Sequence, residues 1–218
     1  LYKTCPKSLW LLLNKKEEYV EEPSALKHIE EGKEVGALAK KYFKDVADTT
    51  SYKEDGSLDI ENMIGLTNRY ILENKETIAE ASFSQDGLFC SVDLLHKVDG
   101  GYEIYEVKAT TEVEKEHLID SAFQKYALQK CGLDVVKTYI LHLNKNYRRK
   151  GGLDLNQLFI KEQIDLAPLF LQTLSDIQND IESIQKFLSA KQEPAGILLS
   201  RCKKCPFMKY CHKDIPVP

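Results

Sequence analysis

Between residues 77 and 110 the chain alternates, with apolar side chains at Ile78, Leu88, Cys90, Val92, Leu94 and Ile104. A period of two marks a strand with one buried face. Asp86-Gly87 and Asp99-Gly100 interrupt the pattern, and Asp-Gly suits the two left-handed positions of a tight hairpin turn. The stretch therefore predicts three antiparallel strands. On either side the period lengthens to three and four, which predicts helices. One is expected over 24–46, capped by Ser24, with Val35, Leu38, Ala39, Tyr42, Phe43 and Val46 inward. Another starts at Asp59, with Ile60, Met63, Ile64, Tyr70 and Ile71 as its stripe. A third over 116–131 buries Leu118, Ala122, Phe123, Tyr126, Ala127 and Cys131, and a long one over 166–189 carries Leu166, Phe170, Leu174, Ile177, Ile181, Ile184 and Leu188. A short helix is expected within 1–20, around Leu9, Trp10, Leu12 and Leu13, and residues 47–58 read as turns. Val135–Leu143 reads as a fourth strand, returning parallel to the third by a right-handed helical crossover. The fold class expected is α/β: a mixed sheet with a three-strand antiparallel meander, flanked by helices.

The two turns fix a register. Counting outward from Asp86-Gly87 sets Glu80 opposite Asp93, and counting from Asp99-Gly100 sets Asp93 opposite Glu106. Lys108 is two residues further and shares that face. Carboxylates abreast on neighbouring strands repel, since opposed Cβ atoms are about 4.5–5.5 Å apart. A cation among them relieves the repulsion, and oxygen ligands suit Mg²⁺ or Mn²⁺. The plainer reading pairs Lys108 with one acid and turns the others to water; a third turn residue, Gly101, would also spoil the count.

Composition adds little. Of 218 residues, 43% are hydrophobic and 29% charged, which fits one sizeable globular domain or two small ones. The net charge of −4 gives no global attraction to nucleic acid. Local basic groups remain at Lys145, Arg148, Arg149 and Lys150, and at Lys203, Lys204 and Lys209; alone, each reads as solvated surface. Without an apolar run of membrane-span length or a visible signal peptide, a cytoplasmic protein with no membrane partner is expected. The start at Leu1 and the Pro216-Val217-Pro218 end read as a segment of a longer parent with further domains.

Six cysteines divide into two sets. Cys90 and Cys131 fall on apolar periodic positions and read as buried thiols. Cys5 stands alone upstream, and Cys202, Cys205 and Cys211 are grouped near the end. Four such thiols without a secretory signal point to a metal centre rather than a disulfide framework, and spacing leaves zinc and an iron–sulfur cluster open.

Asp93, Glu106 and Lys108, followed by Gln124 on a helix, resemble the core of the PD-(D/E)XK nuclease superfamily. With Cys5, Cys202, Cys205 and Cys211 around them, the chain resembles its RecB-like iron–sulfur branch, which includes CRISPR-associated Cas-four exonucleases and the AddB nuclease domain. The resemblance runs from Cys5 to Cys211 and takes in Gly32-Lys33-Glu34-Val35-Gly36 and Leu141-His142-Leu143-Asn144. It implies a restriction-endonuclease-like core in one nuclease domain over 1–218, with 1–20 and 190–218 forming a lobe around a 4Fe–4S cluster on the four cysteines. It implies Mg²⁺ or Mn²⁺ on Asp93, Glu106 and the Val107 carbonyl, with Lys108 activating the attacking water and Gln124 contacting the site or the DNA. Two positions depart from the branch. Gly36 stands where a first-helix His or Glu ligand is usual, so Glu34, or less directly His28, is expected to substitute. Leu128 stands where a tyrosine is usual, with Tyr126 two residues earlier. Glu80 is expected to bind a second metal or to hold Lys108.

The expected function is a metal-dependent DNA exonuclease with a preference for single strands. Two other classes stand beside it: a nuclease-like module that grips DNA ends without cutting, through the 145–150 loop and the late lysines, and a zinc-stabilised interaction domain using the 166–189 helix.

Overall fold

The computed structural model describes residues 5–20, 23–190, 192–196 and 199–213, and within these the side chains other than those of 23–25, 167–174, 201 and 204. The expected cap Ser24 and the stripe residues Phe170 and Leu174 fall among those side chains, and Pro216-Val217-Pro218 lies outside the described residues. The chain divides into two compact units, 31–175 and a second made of 1–30 with 176–218. Among the described residues no helix is long and apolar enough to cross a membrane.

The larger unit is α/β. Six strands form one mixed sheet in chain order: β1 (Val46–Asp48), β2 (Thr77–Gln85), β3 (Leu88–Val98), β4 (Gly101–Lys108), β5 (Val135–Leu143) and β6 (Phe159–Ile164). β2, β3 and β4 form the antiparallel meander, β1 and β5 add in parallel at its two sides, and β6 closes the far edge antiparallel to β5. Both hairpin turns keep the expected count: Gln85 pairs with Leu88 across Asp86-Gly87, and Val98 with Gly101 across Asp99-Gly100. Gly101 is required for a steric reason. At φ 150° its chain passes so close to Asp134 that a Cβ would lie 2.3 Å from that residue's carbonyl oxygen, while Tyr102 N donates to the same oxygen at 2.8 Å.

Helices cover both sheet faces. On one face α3 (Ile60–Leu72) and α4 (Lys115–Lys130) bring Tyr70, Ile71, Phe123, Ala127 and Leu128 against Ile78, Phe83, Val92, Leu95 and Ile104. On the other, α2 (Pro23–Lys40) brings Val35, Leu38 and Ala39 against Ala79, Leu94, Tyr105 and Leu141. Each Leu or Ile buried this way contributes about 1.5–3 kcal/mol. α2 stops at Lys40, short of the expected 46, and the chain extends into β1 instead. β1 and β6 were not expected. β1 is three residues long, and β6 buries Phe159 alone, so neither shows alternation.

The alternation itself slips at one place. On β2, Ile78 and Ala81 share the α3–α4 core while Ala79 lies in the other; on β3, Val92 and Leu95 share it while Leu94 does not. Strict alternation would place 79 with 81 and 92 with 94. The slips fall at Glu80 and Asp93, which face each other between the pairs Ala79↔Leu94 and Ala81↔Val92.

The second unit holds α1 (Pro6–Asn14), a 3₁₀ turn (Lys16–Glu18), part of α6 (Ala167–Ser189), a second 3₁₀ turn (Ser200–Lys204) and α7 (Met208–His212). Its core among the described residues is small: Leu11, Phe207 and Tyr210, with Trp10, Leu12, Cys205 and Cys211 against them. A four-residue helix, α5 (Leu155–Leu158), precedes β6 in the larger unit.

Candidate functional site

The slip in alternation reflects a strained backbone. Glu80 has φ 55°, a left-handed conformation that costs a non-glycine residue on the order of 1–3 kcal/mol. Buried hydroxyls hold it there. Thr49 Oγ1 donates to the Glu80 carbonyl at 2.6 Å and Ser82 Oγ donates to it at 3.0 Å. Thr67 Oγ1 in turn accepts from Ser82 N at 2.9 Å. Thr49, Thr67 and Ser82 have no exposed surface.

One strand over, the ladder forks. β3 and β4 pair as far as Leu94↔Tyr105. Continuing that register puts Asp93 opposite Glu106, but the Asp93 side chain takes the place of a strand partner: Val107 N donates to Asp93 Oδ2 at 2.6 Å. Because the N–H and C=O of a strand residue point to the same edge, the Val107 carbonyl also faces this fork.

Glu106 is buried, 7% exposed, and both its oxygens are engaged. Lys108 Nζ lies 2.8 Å from Oε1, and Gln124 Nε2 of α4 donates to Oε2 at 2.6 Å. The same lysine reaches Asp120 Oδ2 at 3.4 Å, one helical turn before Gln124. Gln124 Oε1 is buried with no hydrogen-bond partner among the described residues. From the other side, Lys40 Nζ at the end of α2 bridges Asp48 Oδ2 at 2.9 Å and Glu80 Oε1 at 3.2 Å.

These contacts set the electrostatics. Burial, then the Glu106 and Glu80 carboxylates, push Asp93 well above the usual carboxylate range, against the pull of the Val107 amide and Lys108. Burial alone would lower Lys108, but Glu106, Asp120 and Asp93 outweigh it and hold the ammonium above its ordinary value. Burial opposes Lys40 in the same way and is outweighed by Asp48 and Glu80, so its pKa too is raised. A second buried acid, Glu103, makes a useful contrast. Its oxygens accept from Tyr105 Oη at 2.7 Å and Tyr139 Oη at 3.4 Å, with Lys137 at 3.7 Å, so it belongs to a closed network.

No family model matches the chain, and no curated protein does. A solved structure, "Crystal structure of SSO0001", is 12% identical over 87% of this chain and 82% of that one, with a TM-score of 0.29. A superposition that loose carries no argument about fold or activity.

The structure therefore brings Asp93, Glu106, Val107, Lys108 and Gln124 to one fork, with Glu80 beside Asp93. Glu34 is exposed on α2, one position before buried Val35, whereas Lys40 at the end of that helix does reach the acids. Lys40 and Asp48 had no sequence signal, since Asp48 lies in a stretch that reads as turns. Asp120 did have one, four residues before Gln124 on the same helix face. The 144–152 loop is largely exposed, with Lys145 paired to Glu112 at 2.8 Å and Arg148 donating to the carbonyls of Lys145 and Tyr147 at 3.0 Å.

The oxygens fit a hard dication in kind: three acids repel one another and a buried amide oxygen is unpartnered. In their present rotamers they turn to lysines and amides, and among the described residues no three His, Cys, Asp or Glu side chains form a ready ligand set.

The smaller unit carries Cys5 before α1, Cys202 and Cys205 at the second 3₁₀ turn and Cys211 on α7, all outside any disulfide and all partly exposed. Burial pushes the Cys211 thiol up, Lys7 pulls it down, and Cys205, Cys5 and Cys202 each push it up further. Leu199 N donates to Cys202 Sγ at 3.3 Å. His212 Nε2 is buried and unpartnered among the described residues. Cys90, packed inside the sheet unit, is pushed up to about 12 by burial, Cys131 and Glu106.

Proposed function

We propose that this chain is a metal-dependent deoxyribonuclease of the PD-(D/E)XK kind, acting on DNA ends with single strands preferred. The observation that carries the reading is the fork between β3 and β4. There a carboxylate held above its usual pKa, a buried carboxylate and an ammonium converge beside a strand edge whose ladder has opened.

Asp93, Glu106 and the Val107 carbonyl would hold Mg²⁺ or Mn²⁺, which neutralises phosphate charge and makes bound water more acidic. Lys108 has three donors, and Glu106 and Asp120 leave it a hydrogen to orient an attacking water or steady the developing charge on the phosphate. Gln124 fixes the rotamer of Glu106 through its amide nitrogen, so that Glu106 presents one oxygen toward Lys108 and the fork. A dication held by Asp93 would favour its ionised form, which would couple binding to pH.

The four thiols of the smaller unit are proposed to hold a 4Fe–4S cluster. The placement of the thiols supports this: Cys205, Cys5 and Cys202 are near enough to Cys211 to push its thiol up, and a cation among them would bring it back down. The resemblance to the RecB-like branch supplies the choice of iron over zinc.

The test is digestion of end-labelled single- and double-stranded DNA by anaerobically prepared protein, with Mg²⁺, Mn²⁺ or chelator. Cleavage is expected with either metal and is expected to vanish in Asp93→Ala and Lys108→Ala. Protein with an intact cluster that cuts neither substrate under either metal overturns the proposal, and salt-sensitive binding without cutting identifies an end-binding module instead.

A further inference from the structure

Lys40 stands between two carboxylates that would otherwise face each other at the rim of the site. Its ammonium is within hydrogen-bond distance of both Asp48 and Glu80, at 2.9 and 3.2 Å. The three residues come from three elements: the end of α2, the end of β1 and the left-handed residue within β2. Each is anchored. Asp48 Oδ1 accepts from Thr50 N at 2.9 Å and from Thr50 Oγ1 at 2.6 Å. Glu80 is tied through its carbonyl to Thr49 and Ser82. Ala39, next to Lys40, has no exposed surface. The gap that Lys40 fills is therefore fixed at the Asp48 carboxylate on one side and at the Glu80 backbone on the other.

We propose that Lys40 is a tethered cation that fills the Asp48–Glu80 gap and so limits this site to one divalent ion. The inference rests on the reading of Asp93 and Glu106 as that ion's ligands. An ammonium at hydrogen-bond distance from both carboxylates excludes a metal from the same gap, because Mg²⁺ needs those oxygens at about 2.1 Å. Sites that take two ions hold them about 3.5–4 Å apart between shared oxygens. Here the oxygens on the Glu80 side are committed to a lysine. Lys40 also offsets the charge that Glu80 presents to Asp93, which leaves Asp93 and Glu106 as the pair with negative charge uncompensated by α2. Lys40 is thus a positioning residue, acting on the reacting atoms through Glu80.

The test counts Mn²⁺ ions bound by the metal-depleted sheet site in the full chain, using titration calorimetry together with the electron paramagnetic resonance of free Mn²⁺. Wild type is expected to bind one ion, Lys40→Gln two, and Lys40→Arg one, because the arginine restores the cation. Glu80→Gln, which keeps the hydrogen bond to Lys40, is expected to retain one ion with less than a tenfold change in Kd; it tests the inference even if Lys40→Gln does not fold. Two ions in wild type, one in both wild type and Lys40→Gln, or loss of the ion in Glu80→Gln overturns the inference. No ion in wild type but one in Lys40→Gln upholds the role of Lys40 and removes the metal site of the proposed nuclease. No ion in either overturns both.

Discussion

Asp93 carries a conflict between burial, like charge and its ionised form. Its carboxyl is half-buried and faces Glu106 and Glu80, and its native pKa is raised above that of the unfolded chain. The native state therefore holds the proton more tightly. The stability contributed by Asp93 is complete below its unfolded pKa, about 3.9, and is lost as pH rises through the higher native value. In metal-free protein at neutral pH, Asp93→Asn should remove this cost while keeping the acceptor for Val107 N. A gain on the order of 1 kcal/mol, or a rise of about 2–4 °C in Tm, is expected by calorimetry, with a flatter dependence of stability on pH. Cleavage should disappear in the same variant. An unchanged or lower Tm would show that the carboxylate is better compensated than its neighbours imply. At this scale the sequence was informative where chemistry follows strand counting. The meeting of Asp93, Glu106 and Lys108 was legible because two Asp-Gly turns fix which residues oppose one another; Gln124, on a helix, came only with the resemblance. Lys40 was not legible, because nothing local marks a helix-terminal lysine that reaches across to a neighbouring strand.

The change of face within β2 belongs to the scale of elements. Alternating residues predicted the meander and its register, and both were found. The change of face at Glu80 was not legible, because a pattern of alternation records which residues are buried and not the left-handed φ that reverses it. The threonines that hold Glu80 in place carried no signal of their own: Thr49 falls in a stretch that reads as turns and Thr67 in a helix. Thr49→Val keeps the shape but removes the donor to the Ala79 and Glu80 carbonyls, at 3.2 and 2.6 Å. A loss of about 1–2 kcal/mol is expected, read as a lower urea midpoint with an unchanged slope. A neutral result would mean that Ser82 alone suffices. The edge strands β1 and β6 escaped prediction for another reason: β1 has three residues, and β6 buries one side chain. Pairing to a formed neighbour creates them, and pairing leaves no periodic trace.

For the whole molecule, the division into units sets the expectation. The sheet unit has two cores, whereas the unit holding both ends of the chain buries little beyond Leu11, Phe207 and Tyr210 among its described residues. A core that small needs a staple. Bound metal on Cys5, Cys202, Cys205 and Cys211 would supply one, since its binding energy adds directly to folding. Cys205→Ser is expected to reduce bound iron and to lower the melting of this unit, seen as the earlier of two calorimetric transitions, while the sheet unit melts as before. An unchanged profile would mean that the packing of Phe207 and Tyr210 is sufficient.

The fork gives Val107 a reporting role. Its amide hydrogen is held by a side chain instead of a neighbouring strand, over 2.6 Å. Any ligand that draws the Asp93 carboxylate toward itself must loosen that grip. Deuterium should then replace the Val107 hydrogen faster as Mn²⁺ or Mg²⁺ is added, while the amide of Leu95, deep in the intact ladder, keeps its slow rate, so one exchange curve would time the arrival of the ion.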